Sequence, residues 1–111
     1  TRLSNAMGVR ERLLQDLIQI EGVDLCQLCD HEGFVIQALP KADNQLAGTL
    51  PGLFDFGDQD TVTISGTNGY LLVKKLETGH YLAIKVHNDV NLGKVRATFH
   101  ESANRLVALL Q

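Results

Sequence analysis

Two cysteines three positions apart, Cys26 and Cys29, are the residues whose types and spacing most directly suggest chemistry. They lie in residues 23–29, an apolar run that predicts a β-strand. Strand residues three apart point to opposite faces with Cα atoms roughly 10 Å apart, beyond the ~7 Å limit for a disulfide. A redox C-x-x-C begins a helix, and a zinc site with His31 lacks a second ligand cluster. We expect two buried small hydrophobic residues, with an enzyme that uses either thiol as the alternative.

Two further patterns resemble functional motifs. His87 and Asp89 pair a base with an orienting carboxylate, but no motif places a nucleophile nearby, so a polar pair at the sheet edge is favoured. Residues 66–69, Gly-Thr-Asn-Gly, lack the lysine and the following helix of a phosphate-binding loop, and they predict a hairpin turn. We therefore expect no catalytic residue, no cofactor and no metal site.

Lysines within predicted strands mark a candidate partner surface. Lys74 and Lys85 are predicted on one mixed sheet face, together with Tyr70 and Tyr81. Lysines in such positions either meet an acidic partner or extend to solvent around a short helical cover. Both alternatives stay open on the sequence.

Residues 88–96 predict a structural corner, where a strand ends and a helix starts. Its members are Asn91, Leu92, Gly93 and Arg96. Asparagine side chains accept bonds from the free backbone amides at a helix start. A cation in the first turn is unfavourable to the helix dipole, so Arg96 is expected to bond a carboxylate, either Asp89 or one in the first helix.

Length and composition indicate one ordinary domain. The 111 residues suffice for one hydrophobic core, and the 44% hydrophobic fraction is typical of a folded chain. The net charge of −3 argues against nucleic-acid binding. We find no apolar run near the ~20 residues of a membrane helix and no secretory signal, and two cysteines fit a reducing cytoplasm. Residues 1–6, ahead of Met7, resemble an expression-tag remnant, which leaves residues 7–111 as the expected domain.

Hydrophobic periodicity predicts an α+β fold. A helical period marks residues 8–20 and 92–110, and Asp43 can cap a short middle helix that Pro51 ends. Runs between turn residues predict five strands, over residues 23–29, 34–39, 61–65, 70–76 and 81–87. The order α-β-β-α-β-β-β-α with hairpin connections implies one antiparallel sheet, with the outer helices on one face and the middle helix on the other.

Hairpin closure predicts the register of the last strands. Closing the final turn at Leu76 and Tyr81 pairs Val73 with Ile84. One face then carries only aliphatic residues, beneath the first and last helices: Val62, Ile64, Leu71, Val73, Leu82, Ile84 and Val86. The other face is mixed and includes Tyr70, Leu72, Lys74, Tyr81 and Lys85.

Residues 61–65, Thr-Val-Thr-Ile-Ser, contain no charge and predict a strand that is poorly guarded against pairing with another chain. Two copies paired here form a continuous sheet. The alternative is that Asp58, Asp60 and the 41–60 segment cover this strand.

Three passages resemble the Roadblock/LC7 domain family. They are residues 17–23, residues 30–36 (Asp-His-Glu-Gly-Phe-Val-Ile) and residues 88–96, where Asn-Leu-Gly and a following Arg begin the last helix. The resemblance extends over residues 7–111 and implies the strand order 2-1-5-4-3. Residues 41–60 depart from it, because the family's middle helix is usually longer and lacks a central proline.

The resemblance also implies dimerisation through the edge strand, helped by the middle helix. The implied interface comprises Thr61, Val62, Thr63, Ile64, Ser65, Leu46, Leu50, Leu53 and Phe54. Such domains are typically non-enzymatic adaptors that serve motor complexes, or that scaffold and regulate small Ras-like GTPases, including a bacterial polarity switch whose dimer promotes GTP hydrolysis. The expected function is therefore a cytoplasmic homodimeric adaptor for such a GTPase.

Two other functions are open. One is a small-molecule sensor, whose pocket is expected beneath the middle helix among Leu72, Tyr81, Leu53 and Phe54. The other is a light-chain-like subunit of a motor complex, which the family resemblance implies.

Overall fold

The computed structural model describes residues 2–55, 57 and 59–110, and side chains from residue 8 onward. Three helices and five strands form an α+β fold, and the antiparallel sheet has the predicted order β2-β1-β5-β4-β3. The elements are α1 Arg2–Ile18, β1 Val23–Cys29, β2 Val35–Leu39, α2 Asn44–Thr49, a 3₁₀ turn Pro51–Phe54, β3 Thr61–Ser65, β4 Gly69–Lys75, β5 Tyr81–His87 and α3 Leu92–Leu110. Among the described helices, none has both the length and the apolar character that a bilayer crossing requires.

The larger core layer lies between one sheet face and the helices α1 and α3. Leu14 and Leu17 of α1 and Phe99 and Leu106 of α3 are completely buried. They pack on sheet residues that share this face: Cys26, Leu28, Leu72, Leu82, Ile84 and Val86. Burial of each large apolar side chain stabilises by about 1.5–3 kcal/mol, so this layer holds both long helices on the sheet.

A smaller core layer lies between the other sheet face and α2 with its 3₁₀ turn. Ala47 and Leu50 are completely buried there. They pack with four sheet residues: Cys29, Val73, Tyr81 and Ala83. The predicted distribution of helices over the two faces is therefore confirmed, although α1 begins at Arg2 rather than near residue 8.

The predicted register of the β4–β5 hairpin is wrong by one residue. Val73 pairs with Ala83 rather than with Ile84. Leu76 N donates to His80 O at 2.7 Å and Gly79 N donates to Leu76 O at 2.9 Å, which closes a three-residue loop. Gly79 has a φ of +93°, the left-handed conformation that such a loop needs at its last residue.

The observed β4–β5 register places the side chains of β3 and β4 on the opposite sheet faces from those predicted. The β3–β4 register is as predicted, with Val62 opposite Val73 and Ile64 opposite Leu71. Because β4 is shifted against β5, these four aliphatic residues lie on the α2 face, and the predicted all-aliphatic face does not exist. The residues that replace them beneath α1 and α3 are Tyr70, Leu72, Lys74 and Leu76, with the hydroxyl residues of β3 alongside.

Gly79→Ala is expected to destabilise the protein by about 1–2 kcal/mol, because a β-carbon is strained at positive φ. Gly48→Ala is the matched control, since Gly48 is helical and a β-carbon there meets nothing within 4 Å. The control is expected to be neutral or stabilising by up to ~1 kcal/mol. Urea unfolding measures both, and equal losses would contradict the turn geometry.

Candidate functional site

The edge strand β3 is the first part of the candidate site. Among the described strands it pairs only with β4, so the other side of its backbone has no strand partner. Its five residues keep a regular register without a bulge. Val62 and Ile64 point to the α2 face, and Ile64 is 39% exposed. The hydroxyl residues of the strand, Thr61, Thr63 and Ser65, point to the sheet face that α1 and α3 cover, called the α3 face below. The strand therefore has an apolar side and a hydroxyl-bearing side.

The other sheet edge differs from β3. The pairing of β2 with β1 shifts between Leu28 and Cys29, so Ile36 is an extra, bulged residue. Arg10 of α1 donates from Nε to Gln37 Oε1 at 2.9 Å, which fixes the helix over this strand. Bulges and flanking helices are devices that protect a sheet edge from pairing. The guarded edge is therefore β2 and the open edge is β3.

Asp43 positions α2 over the sheet. Its Oδ1 accepts from Leu46 N at 2.9 Å, which is the predicted helix cap, and its Oδ2 accepts from Lys85 Nζ at 3.1 Å. Gln27, completely buried in β1, donates from Nε2 to Asp43 O at 3.1 Å and accepts from Asp43 N at 3.0 Å. The bond from Leu46 N, followed by that from Lys85, lowers the pKa of Asp43 below 3.8.

The predicted interface residues of the middle segment differ in accessibility. Leu50 has no exposed surface, so its side chain supports the core and offers no contact area as an interface residue. Leu46, Leu53 and Phe54 are partly exposed around it. Phe54 packs against Tyr81 with ring centroids 5.5 Å apart. Leu72 lies on the opposite sheet face, so the pocket expected from Leu72, Tyr81, Leu53 and Phe54 does not form.

The structural corner begins α3 and reaches the open edge. Asn91 Oδ1 accepts from Lys94 N at 3.2 Å, which caps the helix as predicted. Arg96 donates from Nη2 to Thr63 Oγ1 at 3.1 Å. The prediction that Arg96 bonds a carboxylate is therefore wrong among the described residues. Its partner is a hydroxyl group, because the register brings the hydroxyl side of β3 beneath α3.

The candidate partner residues do not form one surface. Lys74 and Tyr70 lie on the α3 face, whereas Lys85 and Tyr81 lie on the α2 face, so the prediction that the two lysines share a face is wrong. Tyr81 is only 4% exposed. Each lysine has a local contact, Lys85 with Asp43 and Lys74 Nζ with His100 Nδ1 at 3.3 Å.

His100 lies among cations beside the open edge. Burial lowers the pKa of His100 first, Lys74 lowers it further, Asp60 opposes the shift and Arg96 adds to it. A lowered histidine pKa means that the neutral ring is favoured in the folded protein. The neutral ring therefore accepts a hydrogen bond at Nδ1 from the Lys74 ammonium group.

The residues that first suggested chemistry are separate in the fold. Cys26 belongs to the α3-face core and Cys29 to the α2-face core, and both thiols are free and buried. Burial raises the pKa of each thiol to about 11, so neither is a ready nucleophile. His87 Nε2 pairs with Asp24 Oδ1 at 2.9 Å rather than with Asp89. Within the part of the chain that the structure describes, no three metal-ligating side chains come together.

Sequence reasoning missed two residues of the site. Gln27 is a polar residue inside an apolar strand, a signal that such a side chain has a specific partner. Phe34 is 65% exposed at the β1–β2 turn, where Asp30 Oδ1 accepts from both Glu32 N and Phe34 N at 2.9 Å. The sequence alone does not indicate that Phe34 is exposed, because its exposure depends on β2 beginning only at Val35.

No family model and no curated protein matches the sequence. The fold is similar to that of a Roadblock/LC7 domain from Streptomyces avermitilis, with a TM-score of 0.80, 17% identity and coverage of 89% of this chain and 95% of that one. The gliding protein MglB of Thermus thermophilus gives a TM-score of 0.80 at 18% identity, over 94% of this chain and 90% of that one. Myxococcus xanthus MglB gives 0.74 at 17%, over 99% and 98%. The fold is the Roadblock/LC7 fold that the three sequence passages predicted.

Asp43→Ala is expected to destabilise the protein by about 1–2 kcal/mol, because it removes the α2 cap. Asp43→Asn keeps a capping oxygen and loses only the half-exposed Lys85 pair, so its loss is expected within about 0.5 kcal/mol. Since the folded pKa lies below 3.8, the pair contributes fully above that pH and is lost as pH falls through the folded pKa. Urea unfolding between pH 7 and pH 3 checks this, and equal losses for both variants would argue against the cap.

Proposed function

We propose that this protein is a non-catalytic homodimeric adaptor that scaffolds or regulates a small Ras-like GTPase. The observation that carries the dimer is the contrast between the guarded β2 edge and the open β3 edge. The GTPase comes from the Roadblock/LC7 resemblance of the sequence, which the similarity of the fold to MglB supports.

Pairing of two β3 strands about a two-fold axis explains the sequence of that strand. Full antiparallel overlap of five residues puts Val62 of one protomer opposite Ile64 of the other. This pairing occurs twice on the α2 face, and each apolar cross-strand pair contributes about 0.2–1 kcal/mol. The backbone of the open side gains hydrogen bonds in the same step, which removes the exposed edge.

Ile64→Lys is expected to convert a dimer into a monomer at tens of micromolar protein, because it puts a charge into the apolar pairing while its side chain stays accessible in the monomer. The dimer mass is twice the 12.2 kDa of the chain, which light scattering resolves. Leu109→Lys is the matched control, since Leu109 is also 39% exposed but lies on α3. A monomeric wild-type protein would refute the dimer.

The GTPase is proposed to dock beside α2, where Phe34 is, among the described residues, the most exposed large apolar side chain. Gly33, its neighbour, lies so close to α2 that a β-carbon there would be 2.8 Å from Ala47 O. The Asp30 carboxylate holds the turn, so Phe34 extends from an ordered support. Aromatic anchors with such support dominate binding energies at interfaces. Because β2 and β3 are opposite edges, Phe34 stays accessible in the proposed dimer.

Phe34→Ala is expected to weaken binding of the cognate GTPase about 30-fold, which corresponds to ~2 kcal/mol for an aromatic anchor. The assay measures binding and GTP hydrolysis for each small Ras-like GTPase of the same genome. Leu109→Ala, on the opposite face, is the control and is expected to bind like the wild type. If no GTPase binds or changes its hydrolysis rate, the regulatory role is wrong, and if Phe34→Ala binds normally, the anchor is wrong.

A further inference from the structure

In the proposed dimer the two paired β3 strands form a seam, and the side of this seam that faces α3 is polar. With five residues in full antiparallel overlap, Thr63 is the central residue and lies opposite the partner subunit's Thr63. The hydroxyl groups of Thr61, Thr63 and Ser65 then line the α3 face of the seam in both subunits. This inference rests on the proposed dimer, because the seam does not exist in a single chain.

Arg96 extends to the centre of this seam. Its Nη2 is 3.1 Å from Thr63 Oγ1, and the Arg96 side chain is exposed in the single chain. Opposed Cα atoms in an antiparallel pair are about 4.5–5.5 Å apart. The two-fold axis therefore brings two guanidinium groups to within about 10 Å of each other, on the same face of the continuous sheet.

Lys74 is a second cation on the α3 face near Arg96. Its Nζ lies 3.3 Å from His100 Nδ1, and burial, followed by the charge of Lys74, lowers the pKa of His100. A described carboxylate in this region is that of Asp60, which precedes the strand and accepts from Thr61 Oγ1 at 3.1 Å. Since Thr61 lies at the end of the strand, Asp60 is away from the axis. Among the described residues, Arg96 forms no ion pair with a carboxylate, and its side-chain hydrogen bond goes to the Thr63 hydroxyl group.

We propose that the dimer binds one tetrahedral oxyanion of phosphate size on its two-fold axis, between Arg96 and the partner subunit's Arg96. The two Thr63 hydroxyl groups are additional donors at the same position. A guanidinium group donates two parallel hydrogen bonds to an oxyanion, and two such bonds of about 2.8 Å on either side of one phosphate span about 8 Å between nitrogen atoms. The anion neutralises the repulsion of the two cations, so its binding strengthens the dimer by mass action.

The source of the oxyanion is either a free phosphate ion or a phosphoryl group attached to a partner. Both present the same tetrahedral oxygens to the two guanidinium groups. A free phosphate ion is compatible with the two-fold symmetry of the site. An attached phosphoryl group also requires space outside the dimer interface for the molecule that carries it. Inorganic phosphate and O-phosphoserine therefore separate the two sources.

The test measures binding of inorganic phosphate to the wild-type dimer by calorimetry, at constant ionic strength set with chloride. One phosphate per dimer is expected, and Arg96→Gln is expected to weaken binding at least tenfold. Arg96→Lys, which keeps the charge and loses the paired donors, is expected to lie between them. Lys94→Gln is the matched control, because Lys94 is an exposed cation on the same helix whose hydrogen bonds to Asn91 and Thr98 are made by its backbone. O-phosphoserine in place of phosphate identifies an attached source if it alone binds.

Sedimentation of the wild type provides a readout that does not depend on a variant. Phosphate is expected to lower the dimer dissociation constant relative to chloride, and this effect is expected to be lost in Arg96→Gln and kept in Lys94→Gln. A wild-type chain that stays monomeric would overturn the proposed function. A stable dimer that binds neither phosphate nor O-phosphoserine, or that binds them equally well in Arg96→Gln, would overturn the anion site alone.

Discussion

The three-residue loop between β4 and β5 is the constraint on which the functional surfaces depend. Its two hydrogen bonds, Leu76 N to His80 O and Gly79 N to Leu76 O, determine which residue of β4 lies opposite each residue of β5. A loop longer by one residue would move every side chain of β3 and β4 to the other face. Thr63 would then lose contact with α3, and Val62 and Ile64 would leave the α2 face. The pairing of Arg96 with Thr63 is thus a consequence of a turn more than a dozen residues away from either.

The anchor between Gln27 and Asp43 has a comparable effect on the other sheet face. α2 has only six residues, too few to be stable as an isolated helix. A buried amide that satisfies both backbone groups of Asp43 fixes the start of the helix on β1. Lys85 adds a contact from β5, and the apolar side chains around Leu50 complete the attachment. Pro51, which ends the short α2, therefore begins a 3₁₀ turn that stays packed on the sheet.

The two faces of β3 have different roles in the proposed dimer. Apolar residues on the α2 face provide the pairing energy, whereas hydroxyl groups on the α3 face keep Arg96 at the seam. An edge strand that combines both is unlike the bulged β2, which α1 covers. The proposed adaptor dimer and the proposed anion site thus use opposite sides of the same five residues.

Sequence periodicity and turn residues were sufficient to predict the element order, the helix cap at Asp43 and the uncharged strand 61–65, because each depends on local pattern. The strand order came from the resemblance to the Roadblock/LC7 family, and the structure has that order. The opposite faces of Cys26 and Cys29 also followed from strand geometry. The tertiary structure alone decided the register, since Glu77-Thr78-Gly79-His80 is compatible with more than one hairpin closure. It therefore also decided the partner of Arg96, the separation of Lys74 from Lys85 and the exposure of Phe34. These contacts join residues far apart in the chain, and local patterns contain no information about which of them meet.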